Sequence, residues 1–323
     1  VVSQQAATSD WLINLFGVQP GGRSELNFGH GREGAFQIYD HVRKVGALRA
    51  PGTSANRRDP QPTGRVPFQY PRMYDSVTLL AETLHNISQI EDTAVRDAAG
   101  EQYIGRQTLT LSELAVNFRK VMLAGALRGS LYAARDNSGS SYLSFSSATG
   151  ASEIKFGMPA GNKGQLDMLG GGDIIDASWA TTTTDIPGHI LSINAAFQQL
   201  CGGGLRHVIL PSKQWQNVLN NENVQAYHGT AGPAFQSLTM DQLDPSVGNT
   251  QLNVQVARLN FCPWVTFFIT DEGFDLGAPG SETFTKMVGD DDAVFIGCNP
   301  QDDTVACYLG SEPVAEYDGG PET

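Results

Sequence analysis

Residues 206–227 read RHVILPSKQWQNVLNNENVQAY. The run His207–Leu210 is short, continuous and apolar, which predicts a strand buried on both faces. Pro211 stops it, and Ser212 is expected to cap a helix carrying Trp215, Val218 and Leu219. The unit holds no nucleophile, metal-ligand set or phosphate cradle, so its residues are chosen for packing. Immediately upstream, Asp185 is placed to cap a helix with Ile186, Ile190, Ile193, Phe197 and Leu200 in register, and Gly202 to Gly204 stop it. Downstream, strands are expected at 252–259, 263–270, 293–297 and 304–309. A helix-strand-helix unit laid on a sheet gives the class α+β.

Before this module lies the glycine-rich link GMPAGNKGQLDMLGGGD (157–173), which reads as a module boundary. Residues 142–156 alternate around Thr149-Gly150 and predict a β-hairpin. Thr110-Leu111-Ser112-Glu113 has the form of a capping box, followed by Leu114, Phe118, Val121, Met122, Ala126 and Leu127, so a long helix is expected over about 111–134. Residues 74–90 mix strand and helix spacings and receive no assignment. Residues 18–72 are dense in Gly and Pro and should form extended chain and turns. They nevertheless keep Phe36, Ile38, Tyr39, Phe68, Tyr70 and Met73, side chains that need a surface, and another subunit could supply it. At the start, Asp10 can cap an amphipathic turn, WLINLFG, that Gly17 and Pro20 end.

Charge is distributed unevenly. Residues 1–150 carry 15 Lys and Arg against 13 Asp and Glu, and residues 151–323 carry 6 against 21. So acidic a second half repels nucleic acid and anionic membranes. Between Arg43 and Arg72, by contrast, there are seven basic residues and one acid, Asp59. A docking arm for something negative follows, with the acidic half of a neighbouring copy favoured over nucleic acid because single-strand stacking platforms are missing. A solvated basic loop is the plain alternative. Cys201, Cys262, Cys298 and Cys307 have no paired spacing and read as buried thiols. The apolar run FCPWVTFFI (261–269) is too short to cross a bilayer, and VVSQQAATSD lacks the basic region of a secretory signal.

Motifs for chemistry fail on context. Gly29-His30-Gly31-Arg32-Glu33-Gly34 matches the dinucleotide fingerprint, but no buried strand precedes it and no acid follows at the ribose distance. LGGGD and CGGGL lack a Lys-Ser/Thr ending. There is no G-x-S-x-G, and the six histidines form no H-x-x-x-H pair. His207 reads as a core imidazole, Trp179 and Trp215 as core anchors, and Asp290–Asp292 and Asp302-Asp303 as solvated turns without an EF-hand's ligand alternation. No catalytic residue, cofactor or metal is therefore expected.

Taken in order, an N-terminal arm, a Pro/Gly/Arg loop, TLTLSELAVNFRKVMLAGALRGSLY, a hairpin ending IKFGMPAGN, a Trp followed by TDIPGHILSIN, and RHVILPSKQWQNVLNNENVQAY, the sequence resembles the major capsid proteins of tailed bacteriophages, the lambda-like protein E family with the Hong Kong 97-type fold. The resemblance implies an N-terminal arm (1–35), an extended loop and its return (36–92), a peripheral domain with a long spine helix and hairpin (93–164), an axial domain (165–300) and a C-terminal return to the peripheral domain (301–323). It implies self-assembly in the host cytoplasm into hexamers and pentamers of an icosahedral virion shell. The shell would enclose double-stranded DNA without reading its sequence, with a scaffolding protein, a portal and a decoration protein as partners. Arg43, Arg49, Arg57, Arg58, Arg65, Phe68, Tyr70 and Arg72 are the expected docking contacts between subunits, so that the first quarter of the chain finds its burial on sister copies. Lys44 is the only lysine of residues 36–92, so the Lys–Asn crosslink of some relatives is not expected. Alternatives are a tail-tube or other particle protein, and a hydrolase with a nonstandard site.

Overall fold

The computed structural model describes residues 11–16, 26–30, 33–39, 63–69, 79–90, 92–135, 141–147, 150–156, 158–228, 235–238, 254–278, 280–297 and 307–311. The chain is α+β and divides into two compact units, Val1–Ser24 with Met73–Val305, and Glu25–Arg72 with Ala306–Thr323. The glycine-rich link 157–173 lies inside the first.

The opening stretch forms β7 (Leu205–Leu210), α5 (Ser212–Leu219) and α6 (Glu222–His228). β7 pairs in parallel with β10 (Thr266–Ile269), and the five-stranded sheet runs β13 (Val294–Gly297), β7, β10, β9 (Gln255–Leu259), β8 (Phe235–Leu238). All four residues of β10 are buried, as expected of a central strand covered on both faces. Val208, Leu210, Phe267 and Ile269 pack with Ile186, Ile190 and Ile193 of α4 (Ile186–Cys201), Trp215 and Val218 of α5 and Val224 of α6. The intervening Ile209 and Phe268 face a second core of Trp11, Leu12, Val121, Ala124, Leu131, Val256 and Met287. The period of two along a strand thus splits one apolar run between two cores.

The end of α4 follows its sequence signals: Asp185 accepts the Gly188 N–H, and Gly202 closes the helix at φ 79°. The cap of α5 does not. Pro211 occupies the cap position with no side-chain bond, and Ser212 is the first helical residue. Its N–H donates instead to the carboxylate of Asp271, 3.4 Å away, which the β7–β10 pairing brings alongside.

The long helix also departs from expectation. It is α3, Thr93–Arg128, beginning far before the apparent capping box. Asp92 caps it, accepting the N–H groups of Ala94 and Val95, and Gly129 ends it in the left-handed conformation. Thr110 sits inside the helix, with its hydroxyl donating to the Arg106 carbonyl at 3.1 Å. A Thr in that state caps nothing. Residues 130–135 accordingly leave the helix as β4 (Ser130–Arg135). β5 (Ser141–Ser144) and β6 (Ser152–Lys155) do not pair with each other as the expected hairpin; both flank β4, giving the order β5-β4-β6. The unassigned segment before α3 contains helix α2, Ala81–Ser88.

α1 (Trp11–Phe16) docks on its own chain's second core, with Trp11, Leu12 and Ile13 at 0–3% exposure. That corrects the expectation that the first quarter finds burial only on other copies: a Trp-Leu-Ile triplet meets an apolar face of its own sheet. In the other unit, β1 (Leu26–His30) pairs in parallel with β14 (Cys307–Ser311), and β2 (Glu33–Tyr39) pairs antiparallel with β3 (Thr63–Gln69). Strand β2 occupies the place where a dinucleotide fingerprint requires a helix. β11 (Gly273–Leu276) and β12 (Thr283–Lys286) form a separate antiparallel pair.

Gly100 lies in α3, and a Cβ built there meets nothing within 4 Å. Gly100→Ala is expected to stabilise the local helix by about 1 kcal/mol. Amide exchange around residue 100 should then slow about fivefold.

Candidate assembly surface and its root

Only Lys120, Val121, Ala124 and Gly125 of α3 are buried, all near its C-terminal end. That end is clamped. Arg128 donates to the carbonyls of Lys286 and Met287 at 3.5 and 3.2 Å and lies 4.9 Å from the Phe145 ring. Lys163 Nζ donates to the Gly129 carbonyl at 3.2 Å, satisfying a terminal acceptor.

Beneath the clamp is a polar node. The Lys120 ammonium pairs with Glu272, whose other carboxylate oxygen accepts the Trp11 indole N–H at 2.7 Å. Trp11 stacks on Phe268 with ring centroids 5.7 Å apart. The pair is largely removed from water, with side-chain exposures of 9% for Lys120 and 18% for Glu272. A buried ion pair gains little net stability, but deleting one partner strands the other charge.

From residue 93 to 119 no residue of α3 is buried. α2 lies against part of this length, where the Leu80 N–H donates to the Tyr103 hydroxyl. Val95, Ile104, Leu109 and Leu114 remain exposed, as do Leu80 and Leu84 before and within α2. At 1.5 Å per residue this is about 40 Å of helix without a buried residue, along which Leu111, Val116 and Phe118 are half-buried.

Of the expected docking residues, Arg43, Arg49, Arg57, Arg58, Tyr70 and Arg72 lie outside the described residues. Arg65 and Phe68 fall on β3, in register with Gln37 and Gly34. Asp302-Asp303 also lie outside. The Asp290–Asp292 turn holds lysines: Lys286 reaches Asp290 at 2.6 Å and Asp271 at 3.0 Å, and Lys213 reaches Asp291 at 2.7 Å. Among the described residues no group of three potential ligands could hold a metal ion, and no helix is long and apolar enough to cross a membrane.

Trp179 and Trp215 are core anchors, at 6% and 5% exposure. Trp179 donates its indole N–H to His189 Nδ1 at 3.1 Å, leaving the ring proton on Nε2, which donates to Asp176 at 2.9 Å. No sequence signal announces this strut, which runs from the buried Trp179 and His189 to the exposed Asp176, since the three residues carry no spacing motif. His207 packs edge-on to Phe268. Burial pushes the Cys262 thiol up to about 12, so it stays protonated and inert. A depression of about 580 Å³ beside α4 is lined by Asn194, Gln198, Gly203 to Arg206 and Trp264.

No protein-family model matches the chain, and no curated protein matches it either.

Two outcomes follow from the root of α3. Glu272→Ala leaves Lys120 buried without its carboxylate and should cost about 3–5 kcal/mol, read from the urea midpoint; Lys120→Met in the same chain should recover most of it. The hydrogen bond from Ser212 and the Lys286 ammonium hold the Asp271 carboxyl below its ordinary value, against the opposing effect of partial burial. A depressed carboxyl stabilises the fold above its unfolded value and loses that contribution as pH falls through its folded one. Asp271→Asn should therefore destabilise the protein at neutral pH, and denaturation curves of the two proteins should converge as pH drops below the usual carboxylate range.

Proposed function

We propose that this chain is the repeating subunit of a self-assembling container, and more narrowly the major capsid protein of a tailed bacteriophage, folded in the Hong Kong 97 manner around double-stranded DNA. The observation that carries the reading is α3: a helix clamped at one end whose residues 93–119 present Val95, Ile104, Leu109 and Leu114 to solvent. An isolated monomer gains nothing from that arrangement, whereas neighbouring copies cover such a surface by mass action.

The order of parts supports the same reading. A two-stranded ribbon, β2–β3, is joined by the long connection 40–62, then come the capped long helix, the β5-β4-β6 sheet, and a sheet body with helices on one face. This order supports a reading as extended loop, spine helix, peripheral domain and axial body, with a three-stranded sheet where the resemblance implies a hairpin. Charge adds a docking rule: the basic residues between Arg43 and Arg72 meet acids of a neighbouring copy, for which the exposed Asp173, Asp176, Asp185, Glu222, Asp275 and Glu282 are candidates. A single exposed ion pair contributes roughly 0–1 kcal/mol, so the rule acts through repetition over a closed lattice.

Electron microscopy of the purified chain tests the proposal. Closed shells are expected, and deletion of residues 43–60 should leave a folded, soluble subunit that forms none. Uniform small particles from the intact chain, or open tubes, would overturn the capsid reading; normal shells from the deletion would remove the docking role of the basic segment.

A further inference from the structure

The depression beside α4 gathers its lining from three segments at one end of the five-stranded sheet. Asn194 and Gln198 stand one turn apart on α4 and so share a face. Gly202 ends that helix in the left-handed conformation, and Gly203 and Gly204 return the chain to β7, where Arg206 is the second residue. The parallel register sets Thr266 beside His207, so Trp264, two residues before Thr266, comes to the same end of the sheet as Arg206. The depression measures about 580 Å³.

Each wall has a defined chemistry. Trp11, Trp179 and Trp215 are core residues at 3–6% exposure, whereas Trp264 is 46% exposed on the turn between β9 and β10. Asn194 Oδ1 accepts the Leu205 N–H at 2.9 Å, which fixes the carboxamide and leaves its NH2 group as the donor end. A Cβ on Gly204 would lie 2.7 Å from the same oxygen, so only glycine lets the chain pass so close. Gln198 and Arg206, both exposed, add a second carboxamide and a guanidinium. No carboxylate lines the depression, although residues 151–323 carry 21 Asp and Glu.

These walls discriminate among ligands. A phosphate or nucleotide would meet a single arginine, in an acidic half of the chain and beside the negative end of the α4 dipole. A wholly apolar ligand would strip water from two carboxamides and a guanidinium without replacing their hydrogen bonds. A neutral pyranose satisfies both demands: one C–H face lies on an indole, and its rim of adjacent hydroxyls exchanges hydrogen bonds with planar carboxamides and accepts from a guanidinium.

We propose that this depression binds a neutral hexopyranose unit of a glycan, with the sugar ring on Trp264 and its hydroxyls on Asn194, Gln198 and Arg206. The site lies within one subunit and does not depend on self-assembly.

Iodide quenching of tryptophan emission in the full chain tests it, because burial shields Trp11, Trp179 and Trp215 and leaves Trp264 within reach. Methyl β-D-glucopyranoside or methyl β-D-galactopyranoside should protect the quenchable emission saturably in the millimolar range. By calorimetry, Trp264→Ala should weaken binding about tenfold, the loss expected for one aromatic contact. Gln198→Ala should weaken it about threefold through one hydrogen bond, with the urea midpoint unchanged. Trp264→Phe, which keeps an aromatic face, should bind between wild type and Trp264→Ala, and it replaces Trp264→Ala if the latter does not fold. Absence of saturable protection by both glycosides, protection unaltered by Gln198→Ala and Trp264 substitution, or displacement of the glycoside by an equal concentration of inorganic phosphate would each overturn the saccharide site.

Discussion

Phe267 and Phe268 are adjacent in sequence and point to opposite sides of β10, and the rest of the larger unit depends on that division. Phe267 joins the core beneath α4, α5 and α6. Phe268 joins the core that holds α1 and the root of α3. Burying a side chain of this size contributes about 1.5–3 kcal/mol, and the aromatic stack on Trp11 adds about 0.5–1.5 kcal/mol. A central strand flanked by the parallel β7 and the antiparallel β9 thus anchors α4, α5 and α6 on one side and α1 and the root of α3 on the other.

The second core has a cost that the first does not. It contains the Lys120–Glu272 pair, which is tolerated because Trp11 supplies a further donor and Lys120 also lies 5.9 Å from the Phe274 ring. The pair fixes the seat of α3 and α1 by specific partners where apolar packing alone is permissive. The C-terminal end of α3 is thereby held in place, and α2 lies against part of the rest of the helix.

Parts of this arrangement could be seen in the residues. Asp185 and Gly202 bracket α4 as their types require, and the continuous apolar runs of β7 and β10 appear as buried strands. Asp92 could have been found as the true cap of α3, since no proline interrupts the chain from there to Gly129; the Thr110–Glu113 pattern obscured it, because a capping box and a mid-helix Thr with a downstream Glu look alike in sequence. The pairing of β5 and β6 with β4 was hidden for a different reason. Alternation identifies strands, but two strands joined by a turn can each prefer a third.

Sequence alone settled the α+β class, the separation of a basic segment from an acidic half, and the limits of α4 at Asp185 and Gly202, because those depend on residues within a few positions. Tertiary structure decided that Asp271 serves the start of α5, that Glu272 joins Lys120 to Trp11, that Trp179, His189 and Asp176 form a strut, and that α1 lies on its own sheet. Each of these brings together groups that no short-range pattern relates, and only the folded chain sets the distances at which charge, hydrogen bonding and apolar contact act.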